Sequence, residues 1–321
     1  MSNFQVYRKI LSFSLVMFLV DLLALGALIG ASLAGFFIGD QLGSALLGLP
    51  IGFLVGLFII MIINIFVTNR IKAAQISIIT KGVVDGTIPE NAFKAGFEEI
   101  KGRFGKITAF FFITRAIRGI FNQIGKTINK VGTAVGGDTG NAITSAINSG
   151  VQTLIAYLCD CCLGWILYRK DINAARAGCE GAVIFFKHGK TLVRNVGRIF
   201  GMGLASFIII GGAFTGIFYL IYTQFPDVFA TLASEVAAFA EGGEGEFPEF
   251  LTNPATFTVV CAFVSAIFIW ATAHSVLIRP FILTGVMRNY MQAGIKDIPT
   301  EADFAELDSK SGRFAKLHRS F

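Results

Sequence analysis

The sequence predicts an all-α polytopic membrane protein with about four spans and a layer of amphipathic helices on its cytoplasmic side. Three observations predict it. The chain has 321 residues, 54% of them hydrophobic and 15% charged, with a mean hydropathy of +0.68. A soluble domain is nearer 45–50% apolar and about 25% charged. Several apolar runs reach the roughly 20 residues that cross a bilayer as a helix. Lys and Arg are also distributed asymmetrically along the chain, as the spans would sort them.

The spans read as roughly Leu11 to Ile38, Ala45 to Val67, Ile199 to Tyr222 and Thr256 to Ile278. The first is longer than a signal-peptide core and no small-residue cleavage site follows it, so it is read as retained. With the N-terminus inside, the outer segments are Gly39–Ser44 and Thr223–Ala255. Neither holds a Lys or Arg, and the second carries Asp227, Glu235, Glu241, Glu244, Glu246 and Glu249. All 27 basic residues then fall inside. Both termini are expected in the cytoplasm of a multi-pass cell-membrane protein. The net charge of +6 is a topology signature, and nucleic acid is not an expected partner.

Four regions follow: a two-span hairpin over 1–67, a helical layer over 68–198, a second two-span unit with an acidic outer loop over 199–283, and a charged tail over 284–321. In the layer, residues 69–102 read as a helix, a Gly/Pro break near Gly86–Pro89 and a short charged helix. "FGKITAFFFITRAIRGIFNQIGKTINKVG" (104–132) repeats polar residues at steps of three and four, opposite an isoleucine stripe. Arg115, Arg118 and Lys126 on its polar face are candidate contacts for anionic headgroups, and so are Lys187, Lys190, Arg194 and Arg198 on the next amphipathic stretch. Residues 132–150 are small and polar and read as a connection with a short helical turn. A six-span alternative would carry Arg115 and Arg118 across the bilayer, at roughly 2.5–3.5 kcal/mol for each central charge.

"LIAYLCDCCLGWILYRKD" (154–171) places Cys159, Asp160, Cys161 and Cys162 in an apolar run. A structural zinc site usually takes two C-x-x-C pairs, and the second is missing, so no metal or other cofactor is expected. Packing of small soft side chains and palmitoylation both fit. The run is read as a short helix dipping into the inner leaflet, with Arg169 and Lys170 at the headgroups.

Asp21 lies within the first span. An ionisable group there is a candidate for an ion or proton pathway, with Asp160 and His274 as further candidates. Trp270 could face a quaternary ammonium. Small residues every fourth position let helices approach closely: Gly26 and Gly30 with Ala34, Gly48 with Gly52 and Gly56, and Gly197 and Gly201 with Ala205. Such stripes serve contacts within one chain or between copies of a homo-oligomer. The three histidines are scattered and no catalytic motif is present, so no enzyme is expected. In the tail, Thr300 after Pro299 reads as a helix cap.

The order "CDCC", amphipathic helix, "LVRNVGRI", glycine-bearing span, acidic loop, final span and charged tail resembles the choline transporter-like family over roughly Phe104 to Gly294. Cys161–Cys162, Asn173 and Arg194–Asn195 occupy comparable places. The family's asparagine-rich run is here only "DINAARAG", the chain is about half the family's length, and no large extracellular domain follows the first span. The resemblance implies transport of choline or ethanolamine. Two functions follow: a transporter or channel-like protein for a small cationic amine, or a non-catalytic scaffold, assembly or membrane-shaping subunit acting through its basic amphipathic helices.

Overall fold

In the computed structural model, which describes residues 1–43, 45–104, 115–120, 122–123, 141–193, 196–241 and 253–319, all regular structure is helical. Four helices are long and apolar enough to cross a membrane: Asn3–Gln41, Pro50–Val84, Gly201–Tyr222 and Pro254–Lys296. The protein is a multi-pass membrane protein. By packing the chain divides into two units, residues 1–197 with 280–321, and residues 198–279.

The first unit begins with α1 (Asn3–Gln41). Ser2 and Gln5 close a capping box at its start, the Ser2 N–H donating to Gln5 Oε1 (2.8 Å) and the Gln5 N–H to Ser2 Oγ (3.2 Å). α2 (Ala45–Ile63) returns along it after a turn at Gly43, whose φ of +81° a side chain rarely adopts. The helical path does not stop at the end of α2. A five-residue π turn, Asn64–Thr68, carries it directly into α3 (Asn69–Val84). The expected break follows, with Gly86 at φ +70°, and then α4 (Ala92–Phe104). Residues 115–120 form α5. α6 (Asn141–Tyr168) starts well inside the stretch read as a connection, so the polar residues 141–150 are helical. α7 (Ala174–Val193), α12 (Arg279–Lys296), α13 (Glu301–Lys310) and α14 (Gly312–His318) complete the unit. The Thr300 N–H donates to Asp303 Oδ2 (2.7 Å), which starts α13 where the sequence predicts a cap.

The core of this unit is the helical layer, and α6 runs through its centre. Trp165, Ile166, Cys161 and Cys162 are fully buried. The run from 154 to 168 is therefore a helix packed within the layer, with Cys161 and Cys162 in its core as the packing reading expects. Its flanking cations meet the chain's own acids: Arg169 pairs with Asp171 and Glu180, each at 2.8 Å, and Lys170 pairs with Glu99. A second cluster joins Ile120, Cys179 and Val183 to Phe304, Leu307, Phe314 and Leu317, so the tail closes over α5 and α7. The first turns of α1 belong to the layer as well. Val6, Ile10 and Phe13 are fully buried, and Gln75 Nε2 donates to Ser14 Oγ (3.1 Å).

The second unit holds α8 (Val196–Ser206), a π turn (Phe207–Gly211), α9 (Gly212–Tyr222), α10 (Pro226–Glu241) and α11 (Pro254–Ala273). Residues 226–241 of the acidic segment are thus helical. Asn253 caps α11, its Oδ1 accepting from the N–H of Ala255 (3.0 Å) and Thr256 (3.3 Å).

The two halves of the chain repeat a pattern. A span, a five-residue π turn (Asn64–Thr68, His274–Ile278), a helix, an Ile-Pro turn and a further helical segment occur in the same order twice. The segments "IPENAFKAGFEEIKGRF" (88–104) and "IPTEADFAELDSKSGRF" (298–314) have equal length and share Ile-Pro at the start and Gly-Arg-Phe at the end.

Candidate functional site

The π turn after α2 delivers Asn69 and Lys72 to the first turn of α3, at the end of the apolar run. α5 presents Arg115 and Arg118, one helical turn apart and both exposed. α6 supplies Cys159 and Asp160. These six line a cavity of about 510 Å³ whose apolar walls include Ile65, Ile76 and Leu163. Lys72 Nζ lies 2.7 Å from Asp160 Oδ1, and the Asp160 side chain is only 7% exposed. A carboxylate buried that far is tolerable because its cation is in contact.

Three cations therefore surround one carboxylate. Arg115 and Arg118 have no carboxylate within ion-pair distance among the described residues. Burial, then the Asp160 charge, pushes the Cys159 thiol up to about 12, although Arg118 and Lys72 act the other way. The thiol stays protonated at neutral pH and is a poor nucleophile. The chemistry this arrangement offers is retention of an anion by charge-assisted hydrogen bonds.

Of the residues singled out in the sequence, the structure thus brings together Asp160, Arg115 and Arg118. Asp160 belongs to the layer, where it pairs with Lys72. Asp21 is exposed on α1, with no ion pair or hydrogen bond among the described residues. It lies about 10 Å along the helix from Ser14, the last residue of α1 packed into the layer. It therefore belongs to the end of the span nearer the layer. Lys187 pairs with the chain's own tail, at 2.9 Å from Asp297 and 3.2 Å from Asp303. Lys126 and Arg194, the side chains of Lys190 and Arg198, and the surroundings of Gly197 lie outside what the structure describes.

Trp270 and His274 come together in the second unit. Trp270 Nε1 donates to Ser206 Oγ (3.1 Å), Ser206 Oγ donates to the Gly203 carbonyl (2.7 Å), and His274 Nδ1 is 3.5 Å from the same hydroxyl. Phe207 meets the Trp270 ring edge-on at 5.1 Å. The polar atoms of this trio are turned on one another, and no aromatic cage surrounds Trp270 among the described residues.

The glycines need one correction. A Cβ on Gly48 would lie 2.7 Å from Gly39 Cα and closer still to the Gly35 carbonyl, and a Cβ on Gly52 would lie 2.9 Å from Gly35 Cα. A Cβ on Gly56 would meet Leu28 Cα at 2.9 Å. The stripe on α1 facing them is therefore Leu28, Ala31, Gly35 and Gly39. Gly26 and Gly30 point into open space because Gly30 and Ala31 differ by about 100° around the helix. Gly201 is open as well.

Sequence reasoning passed over Asn69 and Lys72. It also missed two arginines that end the repeated segments. Arg103 donates from Nε to the Ile166 carbonyl (3.0 Å) and from Nη2 to the Arg169 carbonyl (2.9 Å), at the C-terminus of α6. Arg313 Nη1 donates to the Gly119 carbonyl of α5 (3.2 Å). Arg103 thereby satisfies carbonyls that a helix end leaves open. The recurrence of Gly-Arg-Phe was the signal that could have found them. No family model, curated protein or solved structure matches this chain.

Proposed function

We propose that this protein is a non-transporting membrane component, a scaffold or assembly subunit that works through its helical layer at the cytoplasmic face. The observation that carries this reading is where the organised polar chemistry lies. The layer holds the Lys72–Asp160 cavity and a network of ion pairs around Glu99, Arg169 and Lys187. Among the described residues the apolar spans offer less: exposed carboxylates at Asp21 and, at the end of α1, Asp40, a Tyr222–Ser265 hydroxyl pair and one closed hydrogen-bonded trio. A transporter site usually gathers polar groups and broken helices near the bilayer midplane. The exposed arginines of the cavity fit a layer that rests against anionic headgroups.

Asp21 favours a second reading. A bare carboxylate in a span costs several kcal/mol, so it marks a place where α1 meets water or a polar partner. Transport of a cationic amine, which the resemblance to the choline transporter-like family implies, would use it as a pathway group. Self-association through α1 would use it as a contact between copies. Uptake of radiolabelled choline and ethanolamine into proteoliposomes, with wild type and Asp21→Asn side by side, separates them. The scaffold reading expects no saturable uptake from a folded protein that forms a defined oligomer. Saturable uptake lost in Asp21→Asn overturns it.

A further inference from the structure

The cavity between α3, α5 and α6 has a more specific use than general attraction to a charged surface. We infer that it is a binding site for a phosphate group, held between Arg115, Arg118 and Lys72 and carried by an anionic phospholipid.

Asp160 is in contact with Lys72 and is almost wholly buried at the cavity. Arg115 and Arg118 stand one turn apart on the same edge of α5, exposed at the cavity. Two guanidinium groups present paired N–H donors in the fork geometry that phosphate oxygens accept. Asn69 adds an amide donor from the opposite wall. The cavity, at about 510 Å³, lies within the range of small-molecule sites and exceeds what a single anion fills, leaving room for a glycerol or similar headgroup.

The neighbourhood then favours a lipid as the source. Ile65, in the last turn of the apolar run, is part of the cavity wall. Phe66 and Val67 beside it are 51% and 40% exposed. A polar cavity that opens where an exposed apolar helix ends suits an amphiphile with its phosphate inside and its acyl chains along the span. The walls also limit the ligand. Asp160 at the floor disfavours a second negative charge placed deep in the cavity, so the phosphate belongs on the arginine side.

The lipid source rests on the layer facing a membrane, whereas the phosphate chemistry does not. The test is carried out on the full chain in a neutral detergent, by melting temperature and by native mass spectrometry. Dioctanoyl phosphatidic acid should stabilise the protein saturably and be retained one to one, and a zwitterionic dioctanoyl phosphatidylcholine should do neither. Arg115→Gln with Arg118→Gln should raise the half-saturating concentration about tenfold or more, because two charge-assisted partners are lost. Both arginines are exposed, so the ligand-free melting temperature should hold. Arg115→Lys with Arg118→Lys should recover part of the affinity. Lys94→Gln with Lys101→Gln, the same charge change on the exposed face of α4, should leave binding as in wild type. If glycerol 3-phosphate binds as tightly as the lipid, the phosphate site stands and its ligand is soluble. If no phosphate compound binds, or the α4 variant loses as much affinity as the arginine variant, the inference is overturned. A chain that transports an amine and still binds phosphate here would sink the scaffold reading alone. A non-transporting chain that binds none would sink this one alone.

Discussion

Single residues in the layer are placed by charge as much as by apolar burial, and Glu99 shows how. It sits between Lys81, at 2.5 Å, and Lys170, and its side chain is 15% exposed. Burial alone would raise its pKa, but the hydrogen bonds and charges of Lys170 and Lys81 outweigh that and hold the carboxyl below its usual range. The folded state therefore binds this proton less readily than the unfolded chain. The stabilisation is complete above the ordinary Glu value of about 4.3 and is lost as pH falls through the lower folded value. Glu99→Gln should cost about 2 kcal/mol at pH 7, typical of a hydrogen bond to a charged group. It should also flatten the acid limb of the stability curve. Hydrogen exchange in the layer at pH 7 and near pH 3 would show both, and an unchanged acid limb would refute the assignment. Glu180 runs the other way. Its burial raises the carboxyl pKa despite the hydrogen bond from Trp165 and the charges of Arg169 and Arg176. Its contribution therefore drains away as pH climbs through the carboxylate range.

Among elements, the α1–α2 pair depends on backbone approach. Gly48 and Gly52 meet the backbone of Gly35, Gly39 and Ala31, which cannot give way as a flexible side chain does. Gly48→Leu or Gly52→Leu should separate the pair and lower the melting temperature in detergent, by an amount corresponding to about 1–3 kcal/mol. Gly26→Ala and Gly30→Ala, made where a Cβ meets nothing within 4 Å, should be neutral or slightly stabilising. A loss at Gly26 as large as that at Gly52 would show the stripe to be misplaced. The four apolar runs, the break near Gly86–Pro89 and the Thr300 cap were legible because each is a local signal of period, φ or capping. The facing stripe on α1 was not, because a GxxxG spacing says which residues share a face without saying which face is used. The cavity was half legible. Arg115 and Arg118 stood out on an amphipathic stretch, but nothing along the chain joins Lys72 to Asp160. That pair exists only because α3 and α6 pack side by side. The partners of Lys187 were hidden for the same reason, since its acids lie in the distant tail.

At the scale of the whole molecule, the tail is part of the layer. Phe304, Leu307 and Phe314 are fully buried against α5 and α7, over Cys179. Burial, then the charges of Asp308 and Glu180, pushes the Cys179 thiol up to about 12. At pH 8 only ~10⁻⁴ of such a thiol is ionised, against about a quarter for an ordinary one. Cys179 should resist alkylation in the intact chain and react at least about a hundredfold faster once residues 298–321 are removed. Peptide mapping after a brief iodoacetamide pulse measures this. Equal labelling in both forms would mean that the tail does not cover α7.

The layer is also closed by parts of the chain that are made at opposite times. Arg288 Nε donates to Asn3 Oδ1 (2.6 Å), and the Tyr7 ring meets Phe281 edge-on at 5.5 Å. During synthesis the first hairpin enters the bilayer while α12 is still unmade. Until then Asn3 and Tyr7 lack their partners on α12. Such late, long-range closure slows folding and prolongs exposure to chaperones and proteases. For a cell this turns the contact between Asn3 and Arg288 into a mark of completeness. A ribosome stalled before α12 would release a chain whose spans are inserted and whose layer is still open to degradation.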